Sequence, residues 1–179
     1  MVRPGRQTRA MAKKKGRRGA AEEWQTVIYE TKLGARPAVE YLSDEQMPNP
    51  VHRELLITVA AVTRTGPPRF PTSTSRWRLM HKDKKKGAVD MSGICEARDK
   101  HSKMLYRLFC VIDRDAPDHG LAAPSLVLLG GATKPDNTVV PMGEYQVIDG
   151  YRHDYWATRR IARDAEGLAF WPDFSERGS

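Results

Sequence analysis

The sequence predicts an α+β fold, a small and mostly antiparallel twisted sheet with an N-terminal αα-hairpin and a C-terminal helix. Three observations predict it. A single β-rich stretch comes first, two helix-patterned segments follow it, and a cluster of three or four strand-like runs then precedes a last helical pattern.

The first strand is read from WQTVIYE, residues 24–30, which alternates and is rich in β-formers. RPAVEYLSD follows, with Pro37 suited to a first helical turn and Val39, Tyr41 and Leu42 available to pack. NPVHRELLITVAAVTRTG offers Asn49 as N-cap, Pro50 at the first helical position, an apolar face of Val51, Leu55, Val59 and Val62, and Gly66 as the stop. PPRFPTSTS is a loop by its proline and serine content. RWRLMHKDKKKG stays open between a short strand and a loop edge, and it ends in the cluster Lys82, Lys84, Lys85 and Lys86.

GICEARDKHSKMLYRLFCVID, residues 93–113, reads as two strands around a polar turn. After the loop RDAPDHGLAAP, the run SLVLLGGATK has the continuous apolar character of a strand covered on both faces. The final helix is expected from Pro141 to about Arg163, anchored by Tyr145, Ile148 and Tyr155 and weakened by Gly143 and Gly150 at about 1 kcal/mol each. Residues 22–163 form one domain on this reading, and residues 164–179 form a loose tail.

With 40% hydrophobic and 29% charged residues the composition is that of a globular protein. No apolar run approaches the roughly 20 residues of a membrane span, and the N-terminus lacks the apolar stretch, about 7 to 15 residues long, of a signal peptide. The expected location is therefore the cytoplasm, with no membrane partner. Cys95 and Cys110 lie at strand-like positions without metal-ligand spacing and read as small buried thiols. No metal site and no cofactor motif is visible.

The net charge of +8 is unevenly placed. Residues 1–21 hold eight basic side chains and no acid, while the rest of the chain balances 22 basic against 22 acidic residues. The sequence thus describes a flexible basic arm on a neutral body, and such an arm binds phosphates by counterion release without reading sequence. Met11, followed by AKKKG, also reads as a translation start.

Against this neutral body two strand arginines, Arg98 and Arg107, stand out, because arginine is rarely buried without a partner. The order of elements and four motifs together resemble the RelE/HigB-like toxins of type II toxin–antitoxin systems, in particular the phage-derived HigB-like branch. The motifs are VIYETKLGARPAVEYL, the Glu-x-Arg strand end GICEAR, the Tyr-Arg strand YRLFCVI, and LVLLGGATKPDNTVVPMGEY, an apolar strand with a basic residue and a Pro-started helix.

The resemblance implies a RelE-like sheet whose concave face grips messenger RNA, metal-independent endoribonuclease activity on translating ribosomes, and neutralisation by a cognate antitoxin, expected to be of helix-turn-helix type. It implies that Arg107 stabilises phosphate charge, that Arg98 orients substrate and that Lys134 stands at the cleft rim. Residue-level alternatives remain: an ion pair of Arg98 with Glu96 or Asp99, a snorkelling Arg107, an exposed Lys134. For the acid and base, GYRHDYW offers His153 and Tyr155 beside Tyr151 and Asp154, all of which also fit a helix surface.

The lysine cluster 82–86 is either a phosphate contact or a solvated turn. Two departures stand against cleavage. Ile94 and Glu96 occupy places where some members carry lysines, and no tyrosine is expected in the first turn of the last helix, where Val140 and Met142 stand. A toxin of the same superfamily that poisons gyrase, and a basic-armed binding module without catalysis, are the alternatives.

Overall fold

Two residues, Ser102 and Lys103, join strands β3 (Ile94–His101) and β4 (Met104–Asp113), and both have positive φ, 47° and 65°. This is the primed turn whose twist matches that of the flanking strands. It locks the register from His101 opposite Met104 back to Ile94 opposite Val111. Counting outward from the turn, Arg98 and Arg107 face each other at a non-hydrogen-bonded position, where side chains come closest.

The computed structural model describes residues 23–81 and 89–162. Its other elements are β1 (Gln25–Ile28), α1 (Pro37–Leu42), α2 (Asn49–Thr65), β2 (Trp77–Leu79), β5 (Ser125–Pro135) and α3 (Met142–Thr158). The five strands lie in the order β1-β5-β4-β3-β2, and every pairing is antiparallel except β1 with β5. The architecture is therefore α+β with a mostly antiparallel sheet. The basic arm 1–21, the lysines 82 and 84–86 and the tail 164–179 lie outside the described residues.

Alternate residues of the strands feed two cores. Cys95, Ala97, Leu108, Cys110, Leu126 and Leu128 pack against Val51, Leu55, Val59 and Val62 of α2, as the helical spacing predicts. Ile94, Phe109, Val111, Val127 and Leu129 pack against Ile148 and Tyr155 of α3. Cys95 and Cys110 are cross-strand neighbours, both buried and free.

Two boundaries differ from the sequence reading, and one open segment is resolved. Helix α2 starts with Asn49 itself behind an extended Pro48 and has no side-chain cap, so the start is set by proline stereochemistry rather than by Asn49. The ambiguous RWRLMH segment forms the short strand β2, held by the full burial of Trp77. Helix α3 ends at Thr158, not near Arg163. Arg159 turns left-handed (φ 49°), and the chain then pairs with the outer edge of β1 through an Ile161–Tyr29 bridge and the Ala162 N–H to Ile28 carbonyl bond. The unmet backbone groups of that edge decide where the helix stops.

Tyr41 of α1 fastens the helix to the sheet. Its hydroxyl accepts the Arg107 N–H at 3.2 Å and donates toward the Ala132 carbonyl at 3.0 Å, bridging β4 and β5. The ring lies directly on Gly131, where a Cβ would come within 2.0 Å of it. Burial pushes the Tyr41 hydroxyl up from its ordinary 10 to about 12.

The folded state therefore holds the Tyr41 proton more tightly than the unfolded chain. The stability this contributes is complete below pH 10 and is lost as pH rises through about 12. Tyr41→Phe is expected to lose about 1–3 kcal/mol at neutral pH through the unmet Arg107 N–H, and to fall less steeply than wild type across the alkaline window. Urea unfolding midpoints measured from neutral pH to about pH 12 check both.

Candidate functional site

Arginines at alternate positions of neighbouring strands must share a sheet face, and here three of them converge on one carboxylate. Glu96 of β3 is fully buried. Its Oε1 lies 2.8 Å from Arg78 Nη2 of β2 and 3.9 Å from Arg98 Nη1, and its Oε2 lies 3.2 Å from Arg107 Nη1 of β4.

The cluster is graded in depth: the side chains of Arg107, Arg98 and Arg78 are 9%, 24% and 42% exposed. Three guanidinium groups against one carboxylate leave an excess of positive charge. Burial first, then Arg78 and, more weakly, Arg107, push the Arg98 guanidinium below its usual range, with Glu96 opposing. Arginine keeps its proton in proteins, so Arg98 stays charged in this setting. The buried Nε atoms of Arg78 and Arg107 have no hydrogen-bond partner among the described residues.

A tyrosine completes the cluster. Arg107 Nη1 also donates to the hydroxyl oxygen of Tyr145 at 2.9 Å, and the Tyr145 ring packs edge-on against Phe109 at 6.1 Å. Tyr145 lies in the first turn of α3, because that helix starts at Met142. The sequence reading named Tyr145 only as a packing anchor and expected no tyrosine in this turn. The signal was its place four residues after Pro141, a start site for a helix. Burial raises the Tyr145 pKa, with Arg107 acting against it, so the phenol stays protonated at neutral pH. With its oxygen accepting from Arg107, its own proton remains free to donate.

Of the other expected site residues, Arg98 joins the cluster, whereas Lys134, His153 and Tyr155 do not. Arg98 is in the cluster, where its Nε donates to the Ser75 carbonyl at 2.6 Å and its nearest carboxylate is Glu96. Lys134 is not at an open rim. It is 7% exposed, and its ammonium donates to the carbonyls of Thr138 and Pro135, bracing the turn that leads to α3.

His153 is 70% exposed, with Nδ1 2.8 Å from the Asp149 carbonyl one turn earlier. Tyr155 is fully buried and donates to Asp113 Oδ2 at 2.8 Å, which also faces Arg159 Nε at 3.1 Å. Asp113 is six residues along β4 from Arg107, roughly 20 Å at strand rise, so Tyr155 belongs to a second buried cluster at the far end of the sheet. Helical spacing placed both residues on α3 correctly, but the end of α3 that faces the arginines is its beginning.

Among the described residues no three His, Cys, Asp or Glu side chains gather to hold a metal ion, and no helix is long and apolar enough to cross a membrane. No protein-family model, curated protein or solved structure matches the chain.

The chemistry open to this arrangement is recognition of a phosphate or similar anion by planar guanidinium forks beside a protonated phenol. The cluster depends on its buried acid. Glu96→Gln is expected to destabilise the fold by about 3–5 kcal/mol, because it leaves Arg107 buried against a neutral amide. A fall in the urea midpoint without loss of two-state unfolding is the result to look for.

Proposed function

We propose that the chain is a RelE/HigB-like toxin that cleaves messenger RNA without a metal ion. In this reading the helices α1 and α2 are the αα-hairpin of a RelE-like fold, and the Arg78, Arg98 and Arg107 face receives a phosphodiester of the RNA backbone. The observation that carries it is the convergence of these three arginines with the protonated Tyr145.

The ribose 2′-hydroxyl attacks the adjacent phosphorus and loses its proton to solvent. The bond from phosphorus to the 5′-oxygen breaks, leaving a 2′,3′-cyclic phosphate. Arg78 and Arg98, which reach solvent, hold the charge on the phosphorane, and Tyr145 protonates the departing 5′-oxygen. Arg107 positions Tyr145 and is itself anchored by Glu96.

The cytoplasm is the matching location, translating ribosomes the matching context, and a helix-turn-helix antitoxin the matching partner. The eight basic residues of segment 1–21 would add salt-dependent affinity for RNA rather than catalysis. A non-cleaving toxin of the gyrase-poison kind is favoured by one observation, the neutralisation of Arg107 by Glu96 at 3.2 Å.

Tyr145→Phe separates the readings, since it removes one hydroxyl and keeps the ring on Phe109. In a bacterial host, induced wild type is expected to arrest growth and create new in-frame 5′ ends in messenger RNA within minutes. Tyr145→Phe, expressed and folded, is expected to lower that cleavage by about 10²- to 10⁴-fold. Arrest with no new ends would support the gyrase-type toxin, and absence of arrest by a folded protein would support a binding module.

A further inference from the structure

The arginine face has a charge and a set of donors that can be counted. The charged groups acting on the Arg98 guanidinium are Arg78, Glu96 and Arg107, and Arg107, Glu96 and Arg78 also act on the Tyr145 hydroxyl. Three positive charges against one negative leave the cluster with an excess of two. The neighbouring cations in sequence, Arg76 and Lys100, are matched separately by Glu54 and Asp136.

The excess lies where a ligand can reach it. Arg107 is committed inward, to Glu96 and to the Tyr145 oxygen. Arg78 and Arg98 reach solvent, and each guanidinium has five N–H donors, more than Glu96 and the Ser75 carbonyl engage. Burial keeps the half-buried Tyr145 phenol protonated, so its proton is a third donor. One ligand thus meets donors from β2, β3 and α3.

A phosphodiester inside an RNA strand brings one negative charge and two oxygens outside its ester links. A terminal phosphate brings close to two charges and three such oxygens. The terminal group therefore matches the cluster in charge and in number of donor groups. Its second charge adds an attraction to the outer arginines that a diester lacks.

We propose that the arginine face is a phosphomonoester site, holding the terminal phosphate of an RNA end more tightly than a phosphodiester within the strand. The inference deepens the ribonuclease reading and rests on its placement of a phosphate at this face. It also names a form of regulation. An RNA strand that ends in a phosphate occupies the site as an inhibitor and competes with intact RNA.

The test titrates the full chain at about pH 8 with 3′-UMP, whose phosphate carries two charges, with 2′,3′-cyclic UMP, which carries one, and with uridine, which carries none. 3′-UMP is expected to bind about tenfold or more tightly than the cyclic nucleotide, with no binding of uridine. Arg78→Gln and Arg98→Gln each remove one of the two excess charges, and each is expected to shrink the ratio to about threefold or less while circular dichroism remains native. Arg78→Gln, on the short outer strand, carries the comparison where Arg98→Gln does not fold. Arg76→Gln, whose charge is met by Glu54, is expected to leave the ratio unchanged.

Equal binding of the two nucleotides, a ratio that survives Arg78→Gln and Arg98→Gln, or no binding of 3′-UMP overturns the proposal. Failure of the parent reading looks different. An arginine-dependent ratio in a protein that cleaves no RNA keeps the phosphomonoester site and removes the ribonuclease, whereas cleavage that 3′-UMP does not inhibit keeps the ribonuclease and removes the site.

Discussion

The buried carboxylate of Glu96 is the constraint around which this sheet face is organised. A carboxylate without solvent is tolerated only when paired, and a guanidinium as deep as that of Arg107 has the same requirement. The pair satisfies both, and the excess charge is carried outward by Arg98 and Arg78, whose exposure rises toward the sheet edge. Positive charge is thus anchored in the core and delivered at the surface. A neutral body can in this way present a cationic face without a basic composition, which composition alone could not have revealed.

The geometry of that face is inherited from the β3–β4 turn. Two positive-φ residues fix the register, and the register puts Arg98 opposite Arg107 with Glu96 diagonal to the latter. Like charges directly across a strand pair repel, so the diagonal acid is what makes the arrangement tolerable. On the other side of β4, Tyr41 spans to β5 and requires glycine at 131. The arginine strand is held on one edge by a turn and on the other by a phenol.

Much of the fold was legible in the sequence because period and punctuation agreed. The alternation of 24–30, the apolar spacing of Val51, Leu55, Val59 and Val62, the polar turn after Lys100 and the apolar run before Lys134 all lie in the elements they predicted. Helix ends were less legible. Pro48 and Asn49 both suit a start, and the early exit of α3 answers to a strand edge contributed by residues 130 positions away, which no local pattern encodes.

The site was legible in its arginines and not in its supporting groups. Arg98 and Arg107 stood out because arginine on a strand demands a reason. Arg78 was hidden by an ambiguous segment, and Glu96 looked like a departure from a motif rather than the acid at its centre. His153 and Tyr155 were attractive by residue type, yet residue type says nothing about which end of a helix meets which end of a sheet. Tyr145, only eight residues from His153, faces the other cluster.

The return of residues 160–162 along β1 has a further consequence. One margin of the sheet is covered by the chain itself, and the opposite margin, β2, is three residues long. A backed margin and a very short one are two ways in which a sheet blunts its edges. Both features hinder pairing of these two margins with a strand of another molecule, and so work against edge-to-edge aggregation there.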